Sequence, residues 1–392
     1  MSITSGRTNI YEQAQAGYVN INLINLDASP VNLNINDSVT IELKDTAGVF
    51  VPIFGGTISD FTISIIATGS VGINQNISII ALGTISRMQK ALTDGVLANA
   101  HDGTQILSLL QDLLLNNWGE VPAAVTWATD DPTIDWAHAE NVGLGEIDTP
   151  GNYDLDSRSA EQIDIYSLVS LCATSGLGYI YEDSQGRIGY ADSTHRSSYL
   201  ATNGYTDLDA NQALSNGLSV QTRAGDIRNS IVLNYGSNSA NQTTPFTNTD
   251  SISTYGQLGQ VISTTLKNHA DADVQAAFYL TLRAYPQAMF NQVTYELTNP
   301  ELDNGDRDSL INIFMGLPLR ISNLPLNMTA GQYLGFVEGW TWKASYNAIS
   351  VTIFLSPLAY SIQAMQWQDV SILEKWNTLS PTMDYAHALV VA

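Results

Sequence analysis

The amino-acid sequence predicts a mainly β protein in which a β-domain is interrupted by inserted α/β material. Three observations carry that expectation. Apolar and polar residues alternate at period two through most of the chain up to about Leu82, the spacing of strands with one buried face. Helical spacing mixed with short strands follows from Ala91 onward. Alternation then returns between Leu317 and Leu355.

Taken in order, Val31, Leu33 and Ile35 alternate with Asn32, Asn34 and Asn36, and Val39, Ile41 and Leu43 alternate with Ser38, Thr40, Glu42 and Lys44. Gly48 and Pro52 punctuate the run, Phe61, Ile63 and Ile65 resume it after Gly55-Gly56, and Ile77 to Leu82 form a more continuously apolar strand. Short strands spaced by turns suit a small antiparallel barrel or sandwich. Asp102 with Gln105 can cap a helix carrying Ile106, Leu109, Leu110, Leu113 and Leu114, and the stretch Trp118 to Gly151 reads as irregular loop. Ser159 and Gln162 form a second capping box before Ile165, Leu168, Val169 and Cys172, and Gly176 stops that helix. Tyr179 to Tyr181 and Arg187 to Tyr190 flank a hairpin turn in which Gly186 supplies positive φ.

Strands are expected at Gly217 to Gln221 and Ser230 to Tyr235, with an exposed Ser/Asn/Thr-rich loop from Gly236 to Asp250. A helix from about Ala270 to Tyr285 presents Val274, Ala277, Phe278 and Leu282, and Pro286 ends it. Val293, Tyr295 and Leu297 mark a strand. Trp340 and Trp342 alternate within another and pack on one face, and Ile349, Val351, Ile353 and Leu355 follow. From Ser361 a tail with Trp367 and Trp376 shows no strand pattern.

With 392 residues, the chain is long enough for two or three domains. Lys and Arg number 15 against 38 Asp and Glu, a formal net charge of -23, yet only 14% of residues are charged, so neutral polar side chains must cover much of the surface. A pI near 4.2 excludes a basic footprint for nucleic-acid phosphates and docking on an anionic membrane. A single cysteine, Cys172, excludes an intramolecular disulfide and any multi-cysteine metal site; its neighbours place it as an inert thiol in a helix core. No run of 18 apolar residues occurs and Met1 to Arg7 lack a signal-peptide core, so the expected place of synthesis and assembly is a cytoplasm.

Chemical motifs are sparse. His101, His138, His195, His269 and His387 are scattered, with no pair at i, i+4; His101 beside Asp102 suits a solvated or capping role. No nucleophile elbow, phosphate loop or dinucleotide fingerprint occurs, and Gly176-Leu177-Gly178 fits a helix stop. Asp303-Asn304-Gly305-Asp306-Arg307-Asp308 has the oxygen donors of a calcium loop but lacks its bidentate Glu and carries Arg307, so a solvated turn is preferred. Asp148, Asp154 and Asp156 invite the same guess and the same answer. The 18 tyrosines and 7 tryptophans could line a sugar groove, but their placement in strands favours a core. No catalytic, cofactor or metal-binding residue is assigned.

Several stretches together resemble the tail hub proteins (minor tail, tail-tip or baseplate hub-like) of tailed bacteriophages. They are Gly6 to Gly17 followed by Val19 to Asp27; Val51-Pro52-Ile53-Phe54-Gly55-Gly56-Thr57-Ile58; the helix Ile165 to Ala173 with the Tyr179–Tyr190 hairpin; Ser251-Ile252-Ser253-Thr254-Tyr255-Gly256; and Phe336-Val337-Glu338-Gly339-Trp340 followed by Ile349 to Pro357. Their order and spacing span roughly residues 6–360. The resemblance implies two tube-type antiparallel β-barrels, the second discontinuous, with inserted α/β domains. On this chain that gives a first barrel at 1–93, an insertion at 94–216, the second barrel at 217–237 and 318–360, a further insertion at 238–317, and a tail at 361–392. It further implies a homotrimeric ring at the virion's tail tip, assembled in the host cytoplasm and joining the sixfold tail tube to a threefold tip. Its partners would be distal tail or tail tube proteins, the tape measure protein and tail-tip or fibre proteins, with DNA passing through unbound. Such a protein is structural rather than enzymatic. A glycan-binding or glycan-degrading tail-tip adhesin is the alternative.

Overall fold

The computed structural model describes residues 1–26, 30–67, 74–115, 144–213, 219–222, 224–286, 288–324 and 332–357. The tail with Trp367 and Trp376, and most of the stretch read as loop between Trp118 and Gly151, lie outside these residues.

Five strands open the chain: β1 (Ser2–Gly6), β2 (Gln15–Asn25), β3 (Ser38–Lys44), β4 (Phe50–Ala67) and β5 (Asn74–Leu82). All their pairings are antiparallel, in the order β1-β2-β5-β4-β3. Register follows the alternation. Val19 stands between Ile3 and Ala81, and Ile77 between Leu23 and Ile63, so apolar partners share a face. The alternating Val31–Ile35 run forms no strand. The Asp37 carboxylate accepts from the Asn34 N–H at 2.8 Å and Asn36 takes φ 71°, so a local Asx-type turn wins over a ladder. Val31 and Leu33 still pack, against Ile58, Ile77 and Ile79.

The middle of the chain holds α1 (Ile85–Met88), β6 (Leu92–Thr93), β7 (Ala100–His101), α2 (Asp102–Leu115), β8 (Leu144–Ile147), β9 (Asp154–Leu155), β10 (Ile163–Asp164), α3 (Ile165–Ser175), β11 (Tyr179–Glu182), β12 (Ile188–Ala191), α4 (His195–Asn203) and β13 (Thr206–Asp209). Ile106, Leu109 and Leu110 of α2 share a core with Leu168, Val169 and Cys172 of α3. The α3 N-cap is Asp164, accepting from the Ser167 N–H at 2.8 Å, and not the Ser159/Gln162 pair, because residues 163–164 are extended to pair with β6. Gly176 ends α3 as expected, although the left-handed residue there is Leu177 at φ 54°. β11 and β12 form the expected hairpin, with Gly186 at φ 82°.

The last part comprises β14 (Ser219–Thr222), β15 (Ser230–Tyr235), β16 (Asn241–Gln242), β17 (Phe246–Thr247), α5 (Thr249–Tyr255), β18 (Gly259–Ser263), α6 (His269–Arg283), β19 (Ala288–Glu296), α7 (Asn304–Ile311), β20 (Pro318–Ser322), β21 (Tyr333–Ala344) and β22 (Ile349–Pro357). Three placements differ from the expected pattern. β15 pairs with β16, β17 and β18 in a separate small sheet, apart from β21 and β22, and the polar segment read as a loop supplies β16 and β17. β19, within the span expected as an insertion, pairs with β22. The buried face of α6 carries Ala272, Gln275, Ala276 and Leu282, leaving Val274 exposed, because the alanines permit close approach to Ile231 and Leu233 of β15.

The architecture is mainly β with inserted helices, and the principal sheet has eleven strands. Its path runs β14-β19-β22-β21-β1-β2-β5-β4-β3, with β20 on β21 and β13 on β20, and among the described residues no closed barrel forms. β1 lies mid-path, with Ile3 between Val19 of β2 and Trp342 of β21. The first strand of the chain thus joins its early strands to its last ones. Trp340 and Trp342 are buried together with Ile3, Val19, Tyr295 and Ile353, as their spacing anticipates.

Candidate functional site

Where β1 ends against β21, the backbones approach too closely for side chains. A Cβ on Gly6, which sits at φ +83°, would lie 2.4 Å from the Glu338 carbonyl oxygen, and one on Gly339 would lie 2.6 Å from that of Arg7. The approach seats Arg7 beside Glu338. Arg7 Nε donates to Glu338 Oε2 at 2.7 Å and its Nη1 to the Glu12 carbonyl at 2.8 Å. From α4, Arg196 donates to both carboxylate oxygens, Nη1 to Oε1 at 2.7 Å and Nη2 to Oε2 at 3.0 Å, and Ser356 Oγ of β22 also donates to Oε1. This forked geometry suits guanidinium and carboxylate. The Tyr179 ring of β11 faces both cations, at 4.4 Å from Arg196 and 5.3 Å from Arg7.

All three ions are buried. Burial alone would raise the Glu338 carboxyl, but the charges of Arg196 and Arg7 and the hydrogen bonds from Arg196 and Ser356 outweigh it and hold the group at about 2. Burial opposes the charge on both arginines; it prevails at Arg7, which is lowered, whereas Glu338 raises Arg196. One carboxylate thus ties together the start of the chain, the inserted helix α4 and the last two strands.

A second junction lies at the β11–β12 turn. A Cβ on Gly55 would fall 2.1 Å from the Gln185 carbonyl oxygen, so β4 touches the turn backbone directly. Next to it Glu182 accepts from the Gly17 N–H at 2.7 Å and from the Ile85 N–H. Desolvation nevertheless pushes Glu182 up to about 7. The turn itself is closed by Arg187 Nε donating to Asp183, both buried. A third buried acid, Asp102, accepts from the Tyr153 N–H at 2.8 Å and from the Tyr190 hydroxyl, and burial raises its carboxyl. Asp102 therefore ties strand segments together and is not the expected cap. Gln105 reaches outward too, donating to the carbonyls of Ala98 and Asp156.

Cys172 is buried and its thiol is pushed up to about 12, first by burial and then by the Asp102 charge, which fits an inert thiol. His101 lies half-exposed, 3.3 Å from Asp154. Asp303 caps α7 by accepting from the Asp306 N–H at 2.8 Å, and Arg307 donates to the carbonyls of Leu297, Asn299 and Leu302. That segment is the start of α7, where a solvated turn is expected from the sequence. Asp148 is drawn away from Asp154 and Asp156 to His195 Nδ1, at 2.8 Å, and to the Asp192 N–H at 2.9 Å. Glu146, Asp148 and His195 present ligand atoms within 4.8 Å of one another and are the described residues best placed to hold a metal ion. Burial opposes the His195 charge, yet the hydrogen bond and charge of Asp148 raise it. His138 and His387 lie outside the described residues.

Sequence reading had no means to single out Arg196 or Glu182, whose neighbours are far away along the chain. One signal was present: ten of the 15 basic residues are Arg, the cation suited to buried pairs. Two stretches singled out at opposite ends of the chain, Gly6-Arg7 and Glu338-Gly339, do meet.

A scan against protein-family models finds no match, and a search of curated proteins finds none. Solved structures do match in fold. The 43 kDa tail protein of prophage MuSo2 from Shewanella oneidensis aligns with TM-score 0.52 at 10% identity, covering 92% of this chain and 94% of that one. The tail protein from Neisseria meningitidis MC58 aligns with TM-score 0.54 at 10% identity, covering 92% and 93%. The chain therefore shares the fold of these two tail proteins over the aligned 92% of its length.

Proposed function

We propose that this protein is a structural component of a phage-type tail, and specifically its hub: a homotrimeric ring at the tail tip, joining the sixfold tube to a threefold tip and lining part of the DNA channel. The observation that carries the reading is the shared fold with two tail proteins over 92% of the chain. The buried three-way junction supports it, since one carboxylate couples elements from 331 residues apart, as a load-transmitting subunit requires. In this reading, residues 1–93 build one tube-type barrel and segments 217–237 and 318–360 the other, both completing in the ring. β19 supplies the strand that links β14 to β22, while β15 stands apart. Residues 94–216 and the rest of 238–317 are insertions that meet neighbouring tail proteins. Tube, tape measure and tip or fibre proteins are its partners, and it performs no catalysis. Assembly occurs in the host cytoplasm before incorporation into the virion.

Native mass spectrometry across a concentration series tests the ring. Trimers are expected, and a monomer persisting at high concentration counts against the hub. Electron microscopy of particles with this chain labelled tests the position, and label anywhere but the tail tip would exclude it.

A further inference from the structure

At the C-terminal end of β8, two carboxylates and an imidazole converge. Glu146 and Asp148 flank the buried Ile147, so both project to the face opposite it. Pairing with β12 fixes that end of the strand: Ile147 lies opposite Tyr190, and the Asp148 N–H donates to the Tyr190 carbonyl at 3.0 Å. After β12 the chain turns into α4, whose first residue is His195. Asp192 closes that turn by accepting from the N–H groups of Thr194 and His195 and from the Thr194 hydroxyl, which engages its carboxylate. The turn brings His195 Nδ1 to 2.8 Å from Asp148 Oδ2, and the Asp192 N–H donates to the same oxygen at 2.9 Å. Ligand atoms of Glu146, Asp148 and His195 all lie within 4.8 Å of one another, and no other set of three His, Cys, Asp or Glu among the described residues does so. His101 and His269 show the ordinary case, each beside a single carboxylate, Asp154 or Asp273. A simple ion pair needs one acid, whereas the His195 imidazole is faced by Glu146, Asp148 and Asp192, a local excess of negative charge.

We propose that Glu146, Asp148 and His195 bind a first-row divalent cation of the zinc or manganese type. One imidazole with two carboxylates is a donor set suited to these ions, softer than the all-oxygen shells of calcium and magnesium. Ligands about 2.1 Å from one ion stand about 3.0–3.4 Å apart. The contact between Asp148 and His195 is already near that spacing, and rotation of the Glu146 carboxylate closes the rest. On binding, the cation takes the place of the imidazole proton between Nδ1 and Oδ2, and that proton passes to Nε2 or to water. The Asp192 N–H continues to orient the ligating carboxylate from behind. His195 and Asp148 keep 15% and 22% of their side-chain surface exposed, which gives the ion an entry path and leaves room for water to complete its shell. The bound ion pins β8 to the start of α4, next to Arg196, the residue that reaches Glu338. The site does not rest on the tail reading.

The test is calorimetric titration of the full chain, stripped with a chelator and dialysed, with zinc and with manganese, using magnesium as the control ion. One equivalent of zinc or manganese per chain is expected, bound at least about tenfold more tightly than magnesium. His195→Ala should weaken that binding at least about tenfold, whereas a His101→Ala/His269→Ala double variant should leave it unchanged. Should His195→Ala fail to fold, Glu146→Gln removes one ligand charge without touching the turn into α4 and should weaken binding by a similar factor. Absence of saturable binding, magnesium bound as tightly, or the parent affinity retained in His195→Ala or Glu146→Gln overturns the proposal, as does loss of binding in the double histidine variant.

Discussion

Among individual residues, Glu338 carries the largest consequence. Replacing it with Gln leaves two buried guanidiniums facing each other without an anion, so Glu338→Gln should destabilise the chain by about 3–5 kcal/mol in urea denaturation. Arg196→Lys keeps the charge but loses the fork, and a smaller loss of about 1–2 kcal/mol is expected. The same residue sets the acid limb of the stability profile. Its folded value, about 2 against 4.5, is depressed, so its contribution is complete above 4.5 and is lost as pH falls towards 2. Glu182 works in the opposite sense. Its folded value is raised to about 7 from 4.5, so stability is fully present below 4.5 and is lost as pH rises through 7. Taken together, the contributions of these two groups are greatest near pH 4.5. Melting temperatures measured from pH 3 to 8 check this. In Glu182→Gln the decline between 4.5 and 7 should flatten, and an unchanged slope would remove Glu182 as its cause.

At the level of elements, the sequence revealed faces more readily than partners. Alternation announced β3, β4, β21 and β22 and the burial of Trp340 and Trp342, because a period of two follows directly from strand geometry. It could not announce that β15 leaves the principal sheet or that β19 enters it, since pairing is decided by residues far away in sequence. Helix α6 shows a different limit. Ranking by hydrophobicity selected Val274, whereas the buried face is made by Ala272 and Ala276, chosen for small size. Ala276→Leu should therefore overpack against β15 and cost about 1–3 kcal/mol, while Val274→Ser should stay within about 0.5 kcal/mol. Thermal unfolding of the two variants side by side checks the assignment, and a reversed ranking would contradict it. Gly55, quoted only as part of a strand motif, proves to be the point where β4 meets the turn after β11. Gly55→Ala should loosen that turn, read as faster proteolysis within residues 183–187.

For the whole molecule, the chain's charge becomes a question of placement. Four arginines, Arg7, Arg187, Arg196 and Arg283, are withdrawn into the interior, against three buried carboxylates, Asp102, Asp183 and Glu338. Cations are scarce here, with only 15 in 392 residues, and the molecule spends several of them on internal junctions. The surface it presents is accordingly acidic and short of counter-charges. The same economy explains why candidate-site residues were hard to read from sequence: the motifs at Gly6-Arg7 and Glu338-Gly339 were visible, but their meeting required β1 to pair with β21. Removing residues 1–7 should therefore abolish cooperative unfolding, because it deletes a mid-sheet strand and one arm of the junction. In a hub, an acidic surface has a physical use. DNA carries one negative charge per ~1.7 Å of its axis, and basic contacts release its counterions and hold it. A carboxylate-lined passage offers no such contacts, and at physiological salt its repulsion acts over about 8 Å. A ring of the kind proposed above should thus expose part of its excess carboxylates to its channel. A density map of the tail tip detailed enough to place side chains decides the matter, and a neutral or basic lumen would refute it.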